Sequence, residues 1–190
     1  MSLVKQFDNS CKELKNVYSL VLIAMLLALR VVFGLFANAT LPIFGNTVKL
    51  SPAFLPIMAT GALFGPVPAA LVGGLGDIIS FLINPTGMYF PGFTISGVLT
   101  GIIYGCCFYQ TKISLPRVIV GWTVNMLAVE TFLAALWLCI LYSSSSASPY
   151  YVYLGIRFLS EAVKCVPEIL LMFATGKLIW GIQIKKPSKR

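Results

Sequence analysis

Arg157, Glu161, Lys164 and Glu168 stand at i, i+4, i+7 and i+11 of one mostly apolar run. On a helix that spacing draws a single stripe of alternating sign. Such a stripe has two uses. It can pair with itself and tie its helix to neighbours, or its first members can line a polar cavity that grips a charged solute. Arg157 and Glu161 come soon after the serine run that starts at Ser143, where a solute would arrive; Glu168 and Lys177 lie further along and read as structural. Arg30, Asp77 and Glu130 are also set in apolar sequence. Arg30 and Asp77 either pair with each other or face one pocket, and Glu130 has no evident local partner. An ionised group at mid-bilayer costs ~2.5–3.5 kcal/mol even on the lenient insertion scale, so each of these residues needs a partner or a cavity.

A second constellation is aromatic. Tyr89, Phe90 and Phe93 cluster about Pro91-Gly92, with hydroxyls following at Thr94 and Ser96. A loop fixed by proline and glycine that runs into a helix N-terminus suits stacking on a flat ligand. Trp137, Tyr142, Tyr150, Tyr151 and Tyr153 form another group, which matches the aromatic belt of a membrane interface.

Other chemistries are closed off. The chain has no histidine, which removes His-based acid–base catalysis, Ser-His-Asp triads and histidine-ligated metals. Cys11, Cys106, Cys107, Cys139 and Cys165 lack metal or redox spacing, and four of them read as small hydrophobes in apolar stretches. Gly176-Lys177 is followed by Leu178 where a nucleotide-binding loop needs Ser or Thr, and no glycine loop precedes it. Neither a metal nor a cofactor is expected, and ATP hydrolysis is left to other chains.

The elements that hold these residues must be membrane helices. The 190 residues are 58% hydrophobic and only 11% charged, with a mean hydropathy of +0.89. A soluble domain carries about 25% charged residues to meet water over its surface. This chain cannot coat itself, which excludes a soluble enzyme, a disordered tail and a nucleic-acid module. Its net charge of +8 then marks orientation in a bilayer.

A helix needs about 20 apolar residues to cross the hydrocarbon layer. The runs Val17 to Ala37, Leu50 to Phe64, Pro68 to Asn84, Phe93 to Tyr109, Val118 to Tyr142 and Val152 to Ile182 give six spans, the second being short. The expectation is an all-α membrane protein, residues 1–190 forming one compact six-helix bundle. Six spans put Lys5, Lys12, Lys15, Lys112, Arg117, Lys185, Lys186, Lys189 and Arg190 on one side and only Lys49 on the other. By the positive-inside rule both termini are cytoplasmic. Ala37-Asn38-Ala39 resembles a signal-peptide cleavage site, but the preceding apolar run is nearer a full span than a signal peptide's core. Gly97, Gly101 and Gly105 form overlapping G-x-x-x-G units for internal helix packing, and Ala24-x-x-x-Ala28 serves either packing or a partner protein.

Several segments together resemble a known family. Ala24-x-x-x-Ala28, Leu29-Arg30-Val31-Val32, Leu63-Phe64-Gly65-Pro66, Gly73-Gly74-Leu75-Gly76-Asp77 and Tyr89-Phe90-Pro91-Gly92-Phe93-Thr94 are similar to the substrate-binding S components of energy-coupling factor (ECF) vitamin transporters, nearest the folate-specific type. The resemblance runs from about Val17 through Leu178. It implies a multi-pass subunit in the cell membrane of a Gram-positive bacterium, with a vitamin pocket open to the outside. It also implies docking through the first span onto an EcfT-type coupling subunit that carries two EcfA-type ATPases. Ala24 and Ala28 would be the docking pair; Asp77, Tyr89, Phe90, Phe93 and Thr94 would surround the pocket, with Arg157 and Lys164 on the sixth span. One departure is Glu130-Thr131, where the folate type is expected to carry an asparagine–threonine pair.

The chemistry of folate agrees. Its pterin is flat and edged with donors and acceptors, which Asp77, Glu161 or Asn84 can meet, with Trp137 near the pocket. Its anionic tail would take Arg157, Lys164, Lys49 or Arg30. Pantothenate, thiamine or a queuosine precursor would use the same architecture with another pocket. A small ion or proton channel relaying through Arg30, Asp77 and Glu130, or an intramembrane enzyme, are readings of other classes.

Overall fold

In the computed structural model, residues 3–36, 39–43, 46–85, 89–142 and 150–185 are described, with side chains over 5–36, 51–85, 89–141 and 150–181. The side chains of Lys49 and Lys185, Ala37 and Asn38 of the cleavage-like motif, residues 86–88, the serine run over 143–149 and the basic residues over 186–190 lie outside that description.

The polar head is itself a helix, α1 (Leu3–Glu13). Its Ser10 is fully buried. The Ser10 hydroxyl donates to the Phe64 carbonyl at 2.9 Å and accepts from the Val67 amide at 3.0 Å. Those two groups flank a chain break at Gly65, whose φ of +93° suits glycine, so α1 ties together the helices on either side of the break.

The first long apolar run folds as α2 (Val17–Phe36). Next comes an antiparallel hairpin of β1 (Ala39–Ile43) and β2 (Asn46–Leu50), paired from Ala39 opposite Leu50 to Ile43 opposite Asn46. This corrects the expected second span. Leu50 closes a strand, and α3 covers only Phe54–Phe64. The residues explain the difference: Thr40, Thr47 and Val48 are β-branched, and Pro42 fits a strand with an open edge. At 1.5 Å per residue, α3 is about 16 Å long, well short of a hydrocarbon layer.

Proline in the first turn opens both α4 (Pro66–Ile83) and α5 (Pro91–Phe108), two residues ahead of the expected starts. These helices form the most extensive pairing in the bundle. A Cβ on Gly97 would stand 2.7 Å from the Gly73 carbonyl oxygen, and Gly101 and Gly105 face Ala69 and Pro66 in the same way. The glycine stripe is therefore the internal packing surface that its spacing suggests.

The fifth apolar run begins as α6 (Leu115–Asn125), continues as a π-helical segment (Met126–Leu133) and ends as α7 (Ala134–Tyr142). The expected uniform α-helix is corrected here, because nothing in the residue types Met-Leu-Ala-Val-Glu-Thr-Phe-Leu separates a π turn from an α turn. The last helix, α8 (Tyr150–Lys185), is about 54 Å long and carries Pro167 inside it. Gly176 of α8 packs against Ile113 in the α5–α6 connection. A buried cluster that includes Ile57, Met58, Tyr104, Phe108, Trp122 and Met172 joins α3, α5, α6, the π segment and α8.

The described chain is helical apart from the hairpin. Four helical runs are long and apolar enough to cross a membrane: α2, α4, α5 and the run Leu115–Leu141. The apolar α3 is shorter, and α8 bears the charged stripe.

Candidate functional site

A cavity of about 360 Å³ opens among α2, α3, α4, α5, the π segment and α8. Every element contributes through a local feature of sequence. From α2, Arg30 reaches across α4, where Gly76 has no side chain to obstruct it. Its Nη1 donates to Ser80 Oγ at 3.4 Å, while its buried Nε has no hydrogen-bond partner among the described residues. Asp77, the next residue on α4, also lines the cavity. Arg30 and Asp77 do not form a contact ion pair; among the described residues Lys164–Glu161 is the one ion pair. Of the two arrangements open to Arg30 and Asp77, the structure adopts the shared pocket.

On α5, Phe93, Ser96, Thr100 and Tyr104 descend one wall. The aromatic rim stands behind them. Phe90 packs against Trp137 of α7 with ring centroids 5.5 Å apart and edge-on to Phe93 at 6.0 Å. Trp137 Nε1 donates to Ser96 Oγ at 3.0 Å, and that hydroxyl donates to the Gly92 carbonyl at 3.2 Å. A second chain runs from the Tyr89 hydroxyl, 2.9 Å from Thr94 Oγ1, through Thr94 Oγ1 to Asp77 Oδ2 at 2.8 Å. Because Thr94 spends its proton on Asp77, Tyr89 is the donor in the first link. Tyr89 also packs on Phe81.

The opposite wall belongs to α8 and the π segment. Arg157, Glu161, Lys164 and Glu168 all face the cavity, with Lys164 paired to Glu161. Glu168, expected to be structural, lines the wall as well; its Oε2 accepts from Trp122 Nε1 at 2.8 Å. Glu130 and Asn125 complete the floor. Asn125 Nδ2 donates to the Tyr104 hydroxyl at 3.3 Å, and its buried Oδ1 has no hydrogen-bond partner among the described residues.

Nine of the residues singled out in the sequence for their chemistry line this cavity: Arg30, Asp77, Phe93, Ser96, Glu130, Arg157, Glu161, Lys164 and Glu168. Phe90, Thr94 and Trp137 sit one contact behind the wall, holding its residues in place, and Tyr89 stands one step further back, on Thr94 and Phe81. Asn84 is exposed at the end of α4 and stands away from the cavity. Ala24 and Ala28 are exposed on α2, among the outward-facing Leu20, Val21, Met25, Leu29 and Val32. Sequence reasoning missed Ser51, Phe54, Thr100, Tyr104 and Asn125 as wall residues. Asn125 had a signal, being an amide buried in apolar sequence. The others had none.

Cations and carboxylates thus alternate around a chamber with an aromatic rim, an arrangement for holding a flat, charged molecule without reacting with it. Among the described residues no group of three or more Cys, Asp or Glu side chains is disposed to hold a metal ion.

Comparison with known proteins agrees with this arrangement. Residues 18–176 match the family model of the ECF transporter, substrate-specific component. The chain belongs to that family. This S component is 29% identical over 171 residues to the folate transporter FolT of Clostridium novyi (strain NT), covering 90% of this chain and 95% of the relative. It is 28% identical over 133 residues to FolT of Leuconostoc mesenteroides, covering 70% and 69% of the two chains. Among solved structures it is similar to the crystal structure of FolT bound with folic acid, with a TM-score of 0.72 and 27% identity over 85% of this chain and 92% of that one.

Proposed function

We propose that this S component captures folate in the cavity between α5, the π segment and α8, and delivers it through a partner that hydrolyses ATP. The observation that carries the reading is the chamber itself: an aromatic rim of Phe90, Phe93 and Trp137 stands beside Arg30, Arg157 and Lys164, within a fold similar to that of FolT bound with folic acid. The pterin stacks at the rim and meets Asp77 or the Asn125 amide with its ring donors and acceptors. The anionic tail is held by arginine, whose planar fork suits carboxylate.

Six crossings underlie this function, with the short α3 as the second and α8 as the last. The hairpin end of the bundle faces outside and both termini face the cytoplasm of a bacterial cell membrane, as the lysine and arginine distribution supports. The exposed Ala24 and Ala28 let a helix of an EcfT-type subunit approach α2 closely, and two EcfA-type ATPases supply the energy.

Titration of purified protein with folic acid, followed by tryptophan quenching, tests the reading. Trp137 beside the rim gives a saturable signal if folate enters. No saturable binding, or co-purification of a different vitamin identified by mass spectrometry, would replace folate with that ligand.

A further inference from the structure

Four carboxylates reach the cavity, and three of them are already answered. Asp77 accepts from Thr94, Glu161 is paired with Lys164, and Glu168 accepts from Trp122. Glu130, in the middle of the π segment, has no hydrogen-bond donor and no ion-pair partner among the described residues. The charges that bear on it come from α8: Glu161 repels it, while Lys164 and Arg157 attract it. Lys164 is committed to Glu161. Arg157 makes no hydrogen bond or ion pair among the described residues, so it is the cation within reach of both Glu130 and an arriving anion.

The other elements packed on the π segment offer no substitute. The neighbouring titratable group on α5 is the Tyr104 phenol, α7 carries only Cys139 and Tyr142, and the one charge of α6 is Arg117 at its far end. Across the cavity, Arg30 lies against Asp77 and Ser80. With every group ionised, Asp77, Glu130, Glu161 and Glu168 outnumber Arg30, Arg157 and Lys164 by one negative charge. A ligand with two carboxylates makes the imbalance worse. Once its tail engages Arg157, Glu130 is left with Lys164, already paired to Glu161, as its compensating charge inside a low-dielectric bundle, where a poorly compensated ion is strongly disfavoured.

We propose that Glu130 takes up one proton from the medium as folate enters, and then contacts the ligand as a neutral carboxyl group. The inference rests on the folate reading above. A proton is added to one carboxylate oxygen of Glu130, and no other bond is made or broken. The neutral group can donate one hydrogen bond and still accept another, which an ionised carboxylate cannot do. A polar ring edge carries both kinds of partner. Linkage fixes the sign: if binding takes up a proton, affinity falls as pH rises, by at most about tenfold per pH unit.

The test is calorimetric titration of folic acid into the purified full chain near neutral pH, in two buffers that differ in ionisation enthalpy. The ligand's carboxylates stay ionised there, so the difference in heat counts protons taken up by the protein. Uptake approaching one proton is expected, falling to near zero in Glu130→Gln. No uptake by the unmodified protein overturns the proposal, as does full uptake that survives in Glu130→Gln. Should Glu130→Gln fail to fold, a ligand-induced infrared difference spectrum of the unmodified protein decides: a neutral-carboxyl carbonyl band must appear on binding, and its absence overturns the assignment. A protein that binds no folate in either buffer removes the functional reading instead, which separates the two failures.

Discussion

The side chain of Arg30 lies across the bare backbone of Gly76, where an added methyl group would stand 2.7 Å from Arg30 Nε. The neighbouring turn supplies Ser80 Oγ to Nη1, but Nε is buried with no acceptor. A buried donor without a partner costs about 1–3 kcal/mol. Arg30 lines the cavity all the same, with its position set by the space that Gly76 leaves.

Replacing Gly76 with alanine is therefore expected to push Arg30 off the wall and to weaken folate binding about tenfold, or roughly 1.4 kcal/mol. Arg30→Ala should lose a similar amount, and the double variant little more, because both changes remove the same contact. Titration of the three variants checks this, and additive losses would contradict it.

Arg157 makes no hydrogen bond or ion pair among the described residues and acts on Glu130 only through its charge, so its loss should be felt more by the ligand than by the fold. Arg157→Ala is expected to weaken folate binding by at least about 1.5 kcal/mol, the low end for a charge-assisted hydrogen bond. Arg157→Lys should recover part of it, since a point charge remains but the planar fork is gone. Binding isotherms read both.

Trp122 and Glu168 behave differently, because their hydrogen bond at 2.8 Å satisfies a carboxylate inside the bundle. Trp122→Phe should lower stability by about 1–3 kcal/mol, as an unanswered buried acceptor does. On a Glu168→Leu background the same substitution should cost clearly less. Thermal unfolding in detergent micelles measures the coupling.

At the other end of the bundle, Gly65→Ala meets two obstacles. The φ of +93° is strained for alanine, and its Cβ would stand 2.7 Å from Ser10 Oγ. A destabilisation of about 1–3 kcal/mol is expected. Ser10→Gly should restore only the steric part, and limited proteolysis should show α1 more accessible in Gly65→Ala.

Ala24 and Ala28 are exposed on a helix with little else to bury. Replacing both with leucine should leave folate affinity of the isolated chain within about twofold, since surface changes away from special features are usually within ±0.5 kcal/mol. Folate uptake by cells carrying the coupling module should fall steeply. Intact uptake would move the docking surface elsewhere.

How much of this was legible in the sequence differs from element to element. The helices α2, α4 and α5 announce themselves through long apolar runs, and α4 and α5 also open on proline. The stripe from Arg157 to Glu168 is visible because charge in such a run stands out. The hairpin strands over 39–43 and 46–50 were not legible, because they fall almost wholly in the stretch left between the first two expected spans and two five-residue strands leave too little periodicity to read. The π segment was hidden for a different reason: its hydrogen-bond register is not encoded in residue type. Tyr104 and Thr100 escaped because a phenol or a hydroxyl in an apolar helix looks the same whether it faces a cavity or a neighbour. Asn84 attracted notice by its chemistry, yet its place at the exposed end of α4 carries it away from the chamber.

The π segment has a consequence for the far rim. Each i→i+5 turn consumes more chain than an α turn, so every residue after Leu133 is rotated about the helix axis relative to an all-α course. Trp137 meets Phe90 and Ser96 in this clocked position. Removing a single residue between Met126 and Leu133 would let the stretch rewind as ordinary α-helix and swing the indole away from its partners. Floor and mouth are geared through one shaft.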